Sequence, residues 1–155
     1  ESGIALGDTV VVNGAGPIGQ MYIRLAQLRG ASVISADMSA GRLAQAEAAG
    51  AIATVNLSEY ETTAERAAAI RAITPHGRGA DVAVEAVGLP EVWEQTVQCL
   101  RPGGTAVLFG GPKAGSTFTV DAVAMHYLEC ISAAPGRSTT RPPANRPRCA
   151  PTPSW

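Results

Sequence analysis

Three closely spaced glycines in the stretch "VVVNGAGPIGQ" have the spacing of a phosphate-binding loop. Gly14, Gly16 and Gly19 fit G-x-G-x-x-G, in which the first glycine allows a tight turn, the second lets backbone approach a pyrophosphate, and the third lets a helix pack close to a sheet. Pro17 suits a helix start, where its missing N–H costs little. Such a helix directs its free N–H groups and its dipole at the phosphates. Taken alone, the motif describes a glycine-rich turn equally well.

An acidic residue further along the chain favours the dinucleotide interpretation. Asp37 lies 18 residues after Gly19, at the end of the apolar run "SVISAD". A carboxylate at this place can accept both hydroxyls of the adenosine ribose, and it would repel a 2′-phosphate. We therefore predict a dinucleotide site that prefers NAD to NADP, with helix capping as the alternative role of Asp37.

S-adenosylmethionine-dependent methyltransferases use similar parts and provide an alternative. They also place a glycine-rich turn after a first strand and an acidic residue after the second. They usually carry an acid directly before the glycines, where this chain has Asn13. Their turn also rarely reads "GPIG", so this alternative is the less favoured one.

Strand-like and helix-like segments alternate along the chain up to residue 134. Strands are predicted at 9–13, 32–37, 53–56, 80–88 and 105–111, with a sixth within 126–133. Helices are predicted at 18–28, 39–50, 59–73 and 90–100. This alternation implies right-handed crossovers and a parallel sheet. The predicted fold class is α/β, a Rossmann-type doubly wound parallel sheet of about six strands with helices on both faces.

The composition excludes several classes of protein. With 155 residues, 46% of them apolar, the chain has the size and content of one globular domain. No apolar run is long enough to span a membrane, and the first residues do not resemble a signal peptide. Cys99, Cys130 and Cys149 form no C-x-x-C pair, which is typical of reduced thiols. We expect a cytoplasmic protein without a membrane or nucleic-acid partner.

The charge distribution divides the chain near residue 134. Residues 1–134 contain all thirteen acidic residues, whereas residues 135–155 contain four of the twelve basic residues and no acidic one. We predict a nucleotide-binding domain at 1–134 and a disordered Pro/Arg-rich tail at 135–155. The abrupt change, with Lys113 the only lysine, suggests an out-of-frame translation of the tail. The absence of an initiator Met suggests that the chain begins inside a longer protein.

Four segments together resemble the cofactor domain of the zinc-dependent medium-chain dehydrogenase/reductase family, over about residues 3–133. They read "GDTVVVNGAGPIGQMYIRLAQLRGA", "VISADMSAGRLAQAEAAGA", "GADVAVEAVG" and "CLRPGGTAVLFGG". The zinc-free quinone reductases typically show a Gly-Gly-Val-Gly turn, which "GAGPIG" does not match. Within the zinc-dependent branch of the family, the sequence is most similar to sorbitol- and threonine-dehydrogenase-like members. The resemblance implies NAD as cofactor and hydride transfer from a secondary alcohol or polyol.

The resemblance also implies roles for individual positions. The three glycines would shape the pyrophosphate loop, and the backbone near Pro17 and Ile18 would meet the phosphates. Ile18 would also pack behind the nicotinamide ring. The cofactor-binding residues implied are Gly14, Gly16, Pro17, Ile18, Gly19, Asp37, Arg42, Val87, Phe109 and Gly110.

The later positions in that set would hold the two ends of the cofactor. Asp37 would bind the adenosine ribose and Arg42 would lie over the adenine. Val87 would line the nicotinamide-ribose side, and Phe109 and Gly110 would offer backbone groups to the nicotinamide. Ordinary core packing is the alternative for Val87 and Phe109.

Catalysis in this family depends on a separate domain, which holds a zinc ion that polarises the alcohol. We assign no catalytic and no metal-binding residue to this chain and expect it to be inactive alone. His76 is interpreted as a solvated loop residue, His126 as a helix-end or core residue, and Cys99 as a small buried one. Glu85, the one interior acid, is interpreted as a hydrogen-bonded structural carboxylate.

A second hypothesis concerns association rather than catalysis. The chain would be a non-catalytic remnant whose sixth strand, Leu128 to Ala133, is an open edge that pairs with another copy. Family members use this edge to join two subunits. A homo-oligomer is therefore the expected partner, beside NAD and, in a full-length parent, an alcohol or polyol.

Overall fold

The computed structural model describes residues 3–127 and 131–133. Its strands are β1 (Thr9–Asn13), β2 (Ser32–Asp37), β3 (Ala53–Asn56), β4 (Ala80–Glu85), β5 (Leu100–Leu108) and β6 (Ile131–Ala133). All pairings are parallel, and the strand order is β3-β2-β1-β4-β5-β6. This is the order of the doubly wound nucleotide-binding sheet. The predicted fold class is confirmed.

Helices cover both faces of this sheet. They are α1 (Pro17–Leu28), α2 (Ala40–Ala48), α3 (Thr63–Ala72), α4 (Pro90–Gln98) and α5 (Ala122–Tyr127), with 3₁₀ turns at Leu57–Glu59 and Pro75–Gly77. Apolar residues of α1 and α2 share one buried cluster, and those of α3 and α4 share another. Among the described residues, no helix combines the length and apolar character needed to cross a membrane.

The central strand β1 shows why a short run of valines forms this core. Every residue of β1 is buried. Val10 and Val12 belong to the cluster beneath α1, whereas Val11 belongs to the cluster beneath α3. Because successive side chains of a strand point to opposite faces, an unbroken apolar run suits a strand that is covered on both sides. Burial of each valine contributes about 1.5–3 kcal/mol.

Helix α3 begins later than the sequence analysis predicted. Thr62 accepts a hydrogen bond from the Glu65 backbone N–H, and the Glu65 carboxylate accepts one from the Thr62 backbone N–H. This reciprocal pair is a capping box, so the helix starts at Thr63. The signal was present in the sequence as Thr62-x-x-Glu65. The residues before it, Leu57–Glu59, form a 3₁₀ turn.

The prediction of a strand within 126–133 was wrong for the first two residues of that range. His126 and Tyr127 end helix α5, and Ile131–Ala133 forms a strand. Residues 128–130 and the predicted tail at 135–155 lie outside the described residues. The strand β4 also ends at Glu85 rather than Gly88, since Gly88 has a φ of 91° that does not belong to a strand.

Candidate functional site

The glycine loop links β1 to α1 in a geometry that two of its glycines make possible. Gly14 has a φ of 100°, and a Cβ atom there would lie 2.6 Å from Cγ2 of Val87. A Cβ atom on Gly19 would overlap the carbonyl oxygen of Gly14. Gly14 is therefore required by the turn, and Gly19 by the close approach of α1 to the sheet.

Gly16 is different, because the fold itself does not require it. Its φ is −70°, which any residue adopts. A Cβ atom on Gly16 would meet no described atom within 4 Å. Gly16 also occupies the N-cap of α1 and supplies no side-chain cap, so the first N–H groups of the helix depend on other acceptors. The open space and the free N–H groups fit the pyrophosphate of a dinucleotide.

Asp37 connects the glycine loop to the start of α2. Its Oδ2 accepts a hydrogen bond from the Ala15 backbone N–H at 2.8 Å, and its Oδ1 accepts one from the Ser39 N–H at 2.8 Å. The Arg42 guanidinium lies 3.8 Å from Oδ2. A carboxylate offers about four acceptor positions, so the two backbone bonds leave capacity for ribose hydroxyls. The bond to Ser39, the N-cap of α2, shows that Asp37 also supports the helix start.

A second carboxylate joins the loops that follow β4 and β5. Glu85 is fully buried, and its Oε1 accepts from the backbone N–H groups of Val87 and Gly88, both at 2.7 Å. Its Oε2 accepts from the Gly110 N–H at 2.9 Å and from Nε1 of Trp93 at 3.1 Å. The structure confirms that Glu85 is a buried, hydrogen-bonded carboxylate.

Val87 and Phe109 lie at the carboxyl edge of the sheet and are not core residues. Val87 is 48% exposed and Phe109 is 39% exposed, which excludes the core-packing alternative for both. The Phe109 ring packs edge-on against Tyr22 of α1, with centroids 5.6 Å apart. This contact connects the loop after β5 to the helix that follows the glycine loop.

The predicted site residues therefore follow the edge of the sheet in strand order. Asp37 ends β2, Gly14 follows β1, Val87 follows β4, and Phe109 follows β5. Backbone hydrogen bonds join these ends, from Gly14 N–H to the Ala36 carbonyl at 2.8 Å and from Ala86 N–H to the Asn13 carbonyl at 2.9 Å. Asp37 and Phe109, at the two ends of this row, are separated by three strand spacings, or roughly 14 Å. The arrangement suits an extended ligand that lies across the carboxyl ends of parallel strands.

A buried polar network supports the loop, and sequence reasoning missed it. Asn13 accepts a hydrogen bond from Nε2 of Gln95 at 2.7 Å and donates one to Oγ1 of Thr96 at 2.9 Å. All three side chains are buried, and together they tie the end of β1 to α4. The hydrogen-bonded partners lie more than eighty residues apart in the chain, so no local sequence pattern indicates the network.

The other side chains that could take part in catalysis lie away from this edge of the sheet or are unreactive. Burial raises the pKa of the Cys99 thiol to about 12, so Cys99 is not a nucleophile. His76 lies in an exposed turn, and His126 lies at the exposed end of α5, as predicted for each. Within residues 3–127 and 131–133, no three His, Cys, Asp or Glu residues form a group that could hold a metal ion.

Comparison with known proteins identifies the family. The sequence model of the zinc-binding dehydrogenases matches residues 17–145. The chain belongs to the zinc-binding dehydrogenase family. This match continues eleven residues past residue 134, and the domain boundary stays a prediction.

Two known enzymes are similar in sequence to most of this chain. D-xylulose reductase A of Aspergillus niger is 38% identical over 131 residues, covering 83% of this chain and 36% of that protein. Sorbitol dehydrogenase of Gallus gallus is 36% identical over 115 residues, covering 73% and 32%. The chain thus spans about a third of the length of these relatives.

Solved structures of the family share the fold. Alcohol dehydrogenase from Thermotoga maritima is 35% identical, with a TM-score of 0.72, and the match covers 86% of this chain and 36% of that one. A protein described as a zinc-binding dehydrogenase from Sinorhizobium meliloti, bound to NADP, is 32% identical with a TM-score of 0.76, covering 86% and 38%.

Proposed function

We propose that this chain is the NAD-binding domain of a zinc-dependent alcohol or polyol dehydrogenase. The observation that carries the proposal is the open space over Gly16, where a Cβ atom would meet no described neighbour. The fold has no need of a glycine at that position, whereas a pyrophosphate does. Relatives named as sorbitol dehydrogenase and D-xylulose reductase support the substrate class.

Each side chain of the site has a proposed part in binding the cofactor. The backbone from Gly14 to Gly19, including Pro17 and Ile18, holds the pyrophosphate, and Ile18 packs behind the nicotinamide. Asp37 accepts the hydroxyls of the adenosine ribose, and Arg42 lies over the adenine. Val87, Phe109 and Gly110 hold the nicotinamide half.

Asp37 is the basis for the proposed preference for NAD. Its buried carboxylate already accepts two backbone hydrogen bonds, which holds it at the end of β2 in a fixed orientation. A 2′-phosphate would bring further negative charge to this carboxylate, and Arg42, 3.8 Å away, compensates only part of it. The similar protein from Sinorhizobium meliloti is bound to NADP, so the cofactor preference requires its own test.

The chemistry of the proposed full-length enzyme is hydride transfer. The cofactor supplies the hydride acceptor, and the residues of this chain bind it and orient it. On the family resemblance, zinc and the alcohol are bound by a separate domain. We therefore expect the isolated chain to bind NAD and to show no zinc-dependent turnover. A cytoplasmic location remains part of this proposal.

Fluorescence titration with NADH and NADPH tests the cofactor proposal. We expect saturable NADH binding, weaker NADPH binding, and loss of most of the NADH affinity in Asp37→Ala. Asp8→Ala is the matched control, because Asp8 also accepts a backbone hydrogen bond, from the Ala5 N–H at 2.8 Å, but lies at the opposite end of the sheet. A folded wild-type chain that binds neither nucleotide would refute the proposal.

A homo-oligomer through β6 is the proposed assembly. Strand β6 is the outermost strand of the sheet as described, next to β5, and an open strand edge offers unpaired backbone groups to another chain. Light scattering over a range of concentrations tests this part, and a monomer at every concentration would exclude it.

A further inference from the structure

The buried carboxylate of Glu85 has no part in the cofactor contacts proposed above. It is the only acidic side chain among the described residues with a solvent exposure of 0%. A charge in such a place requires compensation by hydrogen bonds, and Glu85 receives four of them from N–H donors. The four donors belong to the loop after β4, to helix α4 and to the loop after β5.

We propose that Glu85 is a positioning residue that sets the geometry of the nicotinamide half of the site. This inference rests on the proposed function, because it assumes that the loops after β4 and β5 receive the nicotinamide. Glu85 itself would not touch the cofactor. It would act through the backbone of Val87, Gly88 and Gly110, whose N–H groups it holds.

The bonds to Glu85 bring the two loops to within contact distance of each other. Oε1 holds Val87 and Gly88, and Oε2 holds Gly110. A Cβ atom on Gly110 would overlap the Gly88 nitrogen and lie 2.6 Å from Oε2. A Cβ atom on Gly88 would lie 2.9 Å from the Gly111 carbonyl oxygen. The space between the loops admits no side chain. The carboxylate oxygens hold both loops at this separation, together with the backbone bond from the Gly110 N–H to the Glu85 carbonyl at 3.2 Å.

The carboxylate chemistry is what makes this arrangement specific. Both oxygens of a carboxylate accept hydrogen bonds and neither donates one, whereas an amide offers only one acceptor oxygen. Glu85→Gln keeps the size of the side chain and places an NH₂ group against two N–H donors. One of the two pairs of N–H donors would then lose its side-chain acceptor, and the position of Val87 or of Gly110 would change.

The adenosine half of the site is built without Glu85. Asp37 holds the Ala15 and Ser39 N–H groups, at the end of β2, two strands away from β4 in the sheet. A disturbance at Glu85 should therefore weaken ligands that carry the nicotinamide and its ribose, and it should spare ADP, which ends at the pyrophosphate. A purely structural role predicts no such difference.

Asp81 provides a matched control on the same strand. It lies at the opposite end of β4, where its Oδ2 accepts from the Thr9 N–H at 2.8 Å and from Arg78 at 2.9 Å, and its Oδ1 accepts from Arg101 at 2.6 Å. Asp81→Asn also replaces a carboxylate of β4 that accepts several hydrogen bonds, but it leaves the carboxyl edge of the sheet unchanged.

Calorimetric titration of the whole chain with NADH and with ADP tests the inference. For Glu85→Gln we expect about tenfold weaker NADH binding, equivalent to about 1.4 kcal/mol, and a change of less than about twofold for ADP. For Asp81→Asn we expect both affinities to stay within about twofold of the wild type. If Glu85→Gln does not fold, Trp93→Phe removes a single donor to Oε2 and should weaken NADH alone, by about threefold.

The outcomes separate this inference from the proposed function. If the wild type binds neither ligand, the proposed function fails and the inference falls with it. If the wild type binds both and Glu85→Gln weakens both equally, or neither, then the proposed function stands and Glu85 is structural only. The inference would also be overturned if Asp81→Asn weakened NADH binding more than binding of the shorter ligand, to the same extent as Glu85→Gln.

Discussion

The carboxylate of Asp37 accepts a hydrogen bond from the backbone N–H of Ala15, 2.8 Å away across the gap between β2 and the glycine loop. The residue proposed to bind the ribose therefore also holds the loop proposed to bind the pyrophosphate. A substitution of Asp37 changes both parts of the site, so stability and binding have to be measured together.

Asp37→Asn is expected to lower stability and cofactor affinity at once. The amide keeps one acceptor oxygen and presents an NH₂ group to either Ala15 or Ser39. Loss of one buried hydrogen-bond acceptor costs about 1–3 kcal/mol. Urea unfolding measures the first effect and NADH titration the second. Unchanged stability would contradict the role of Asp37 in holding the loop.

Gly16→Ala and Gly19→Ala should have opposite consequences. Alanine at position 16 would meet no described neighbour within 4 Å, so the free energy of unfolding should change by less than about 1 kcal/mol. NADH affinity should fall, because the methyl group would occupy the space proposed for the pyrophosphate. Alanine at Gly19 overlaps the Gly14 carbonyl and should destabilise the fold by about 1–3 kcal/mol. Thermal unfolding and NADH titration of both variants check this contrast. A Gly16→Ala chain with wild-type affinity would remove the main support for the pyrophosphate site.

Cys99 should make stability depend on pH in the alkaline range. Burial raises the pKa of its thiol from 9.0 to about 12, so from pH 9 upward the unfolded chain loses this proton and the folded chain keeps it. The contribution of Cys99 is complete below pH 9 and declines by up to about 1.4 kcal/mol per pH unit until pH 12. Urea unfolding at pH 8, 9 and 10 should show a steeper decline for the wild type than for Cys99→Ala. Parallel declines in the two proteins would contradict the prediction.

Asp81 should contribute to stability in the acid range with the opposite sign. Burial raises its pKa, but hydrogen bonds from the Thr9 N–H and from Arg101, with the charges of Arg101 and Arg78, outweigh this and lower the pKa below 3.8. The stabilisation is therefore present above pH 3.8 and is lost as the pH falls below that value. The difference in unfolding free energy between wild type and Asp81→Asn should shrink as the pH is lowered from 5 to 3. A difference that stays constant would show that the carboxylate is not stabilised in the folded state.

Local patterns predicted much of the fold and only part of the site. The bounds of β1 and β2 were predicted to the residue, because each is a short run around β-branched residues that ends in a polar residue, Asn13 or Asp37. The glycine loop was equally clear from its spacing. Glu85 was recognised as an interior acid, and its bonds to Val87 and Gly88 are local. Its partners Trp93 and Gly110 come from other elements, and only the fold brings them together.

The missed features have physical reasons of two kinds. The start of α3 depends on a capping box that is readable in the sequence, but the polar run before Thr62 has the composition of a helix. The pairing of Asn13 with Gln95 and Thr96 depends on how α4 packs near the end of β1, which no local propensity determines. Side-chain partners that are distant along the chain are set by packing, and they were the part of the site that sequence analysis did not supply.

The position of β1 between β2 and β4 divides the molecule into two halves along the chain. Residues up to α3 build one side of the sheet, and residues from β4 onward build the other; the halves meet where β1 pairs with β4 and where α3 packs on α4. The exposed turn Pro75–Gly77 connects them. A chain cut at this turn would carry the glycine loop and Asp37 on one fragment, and Val87, Phe109 and Gly110 on the other. On the proposed function, a bound dinucleotide would then bridge two polypeptides, and their reassembly would report its presence.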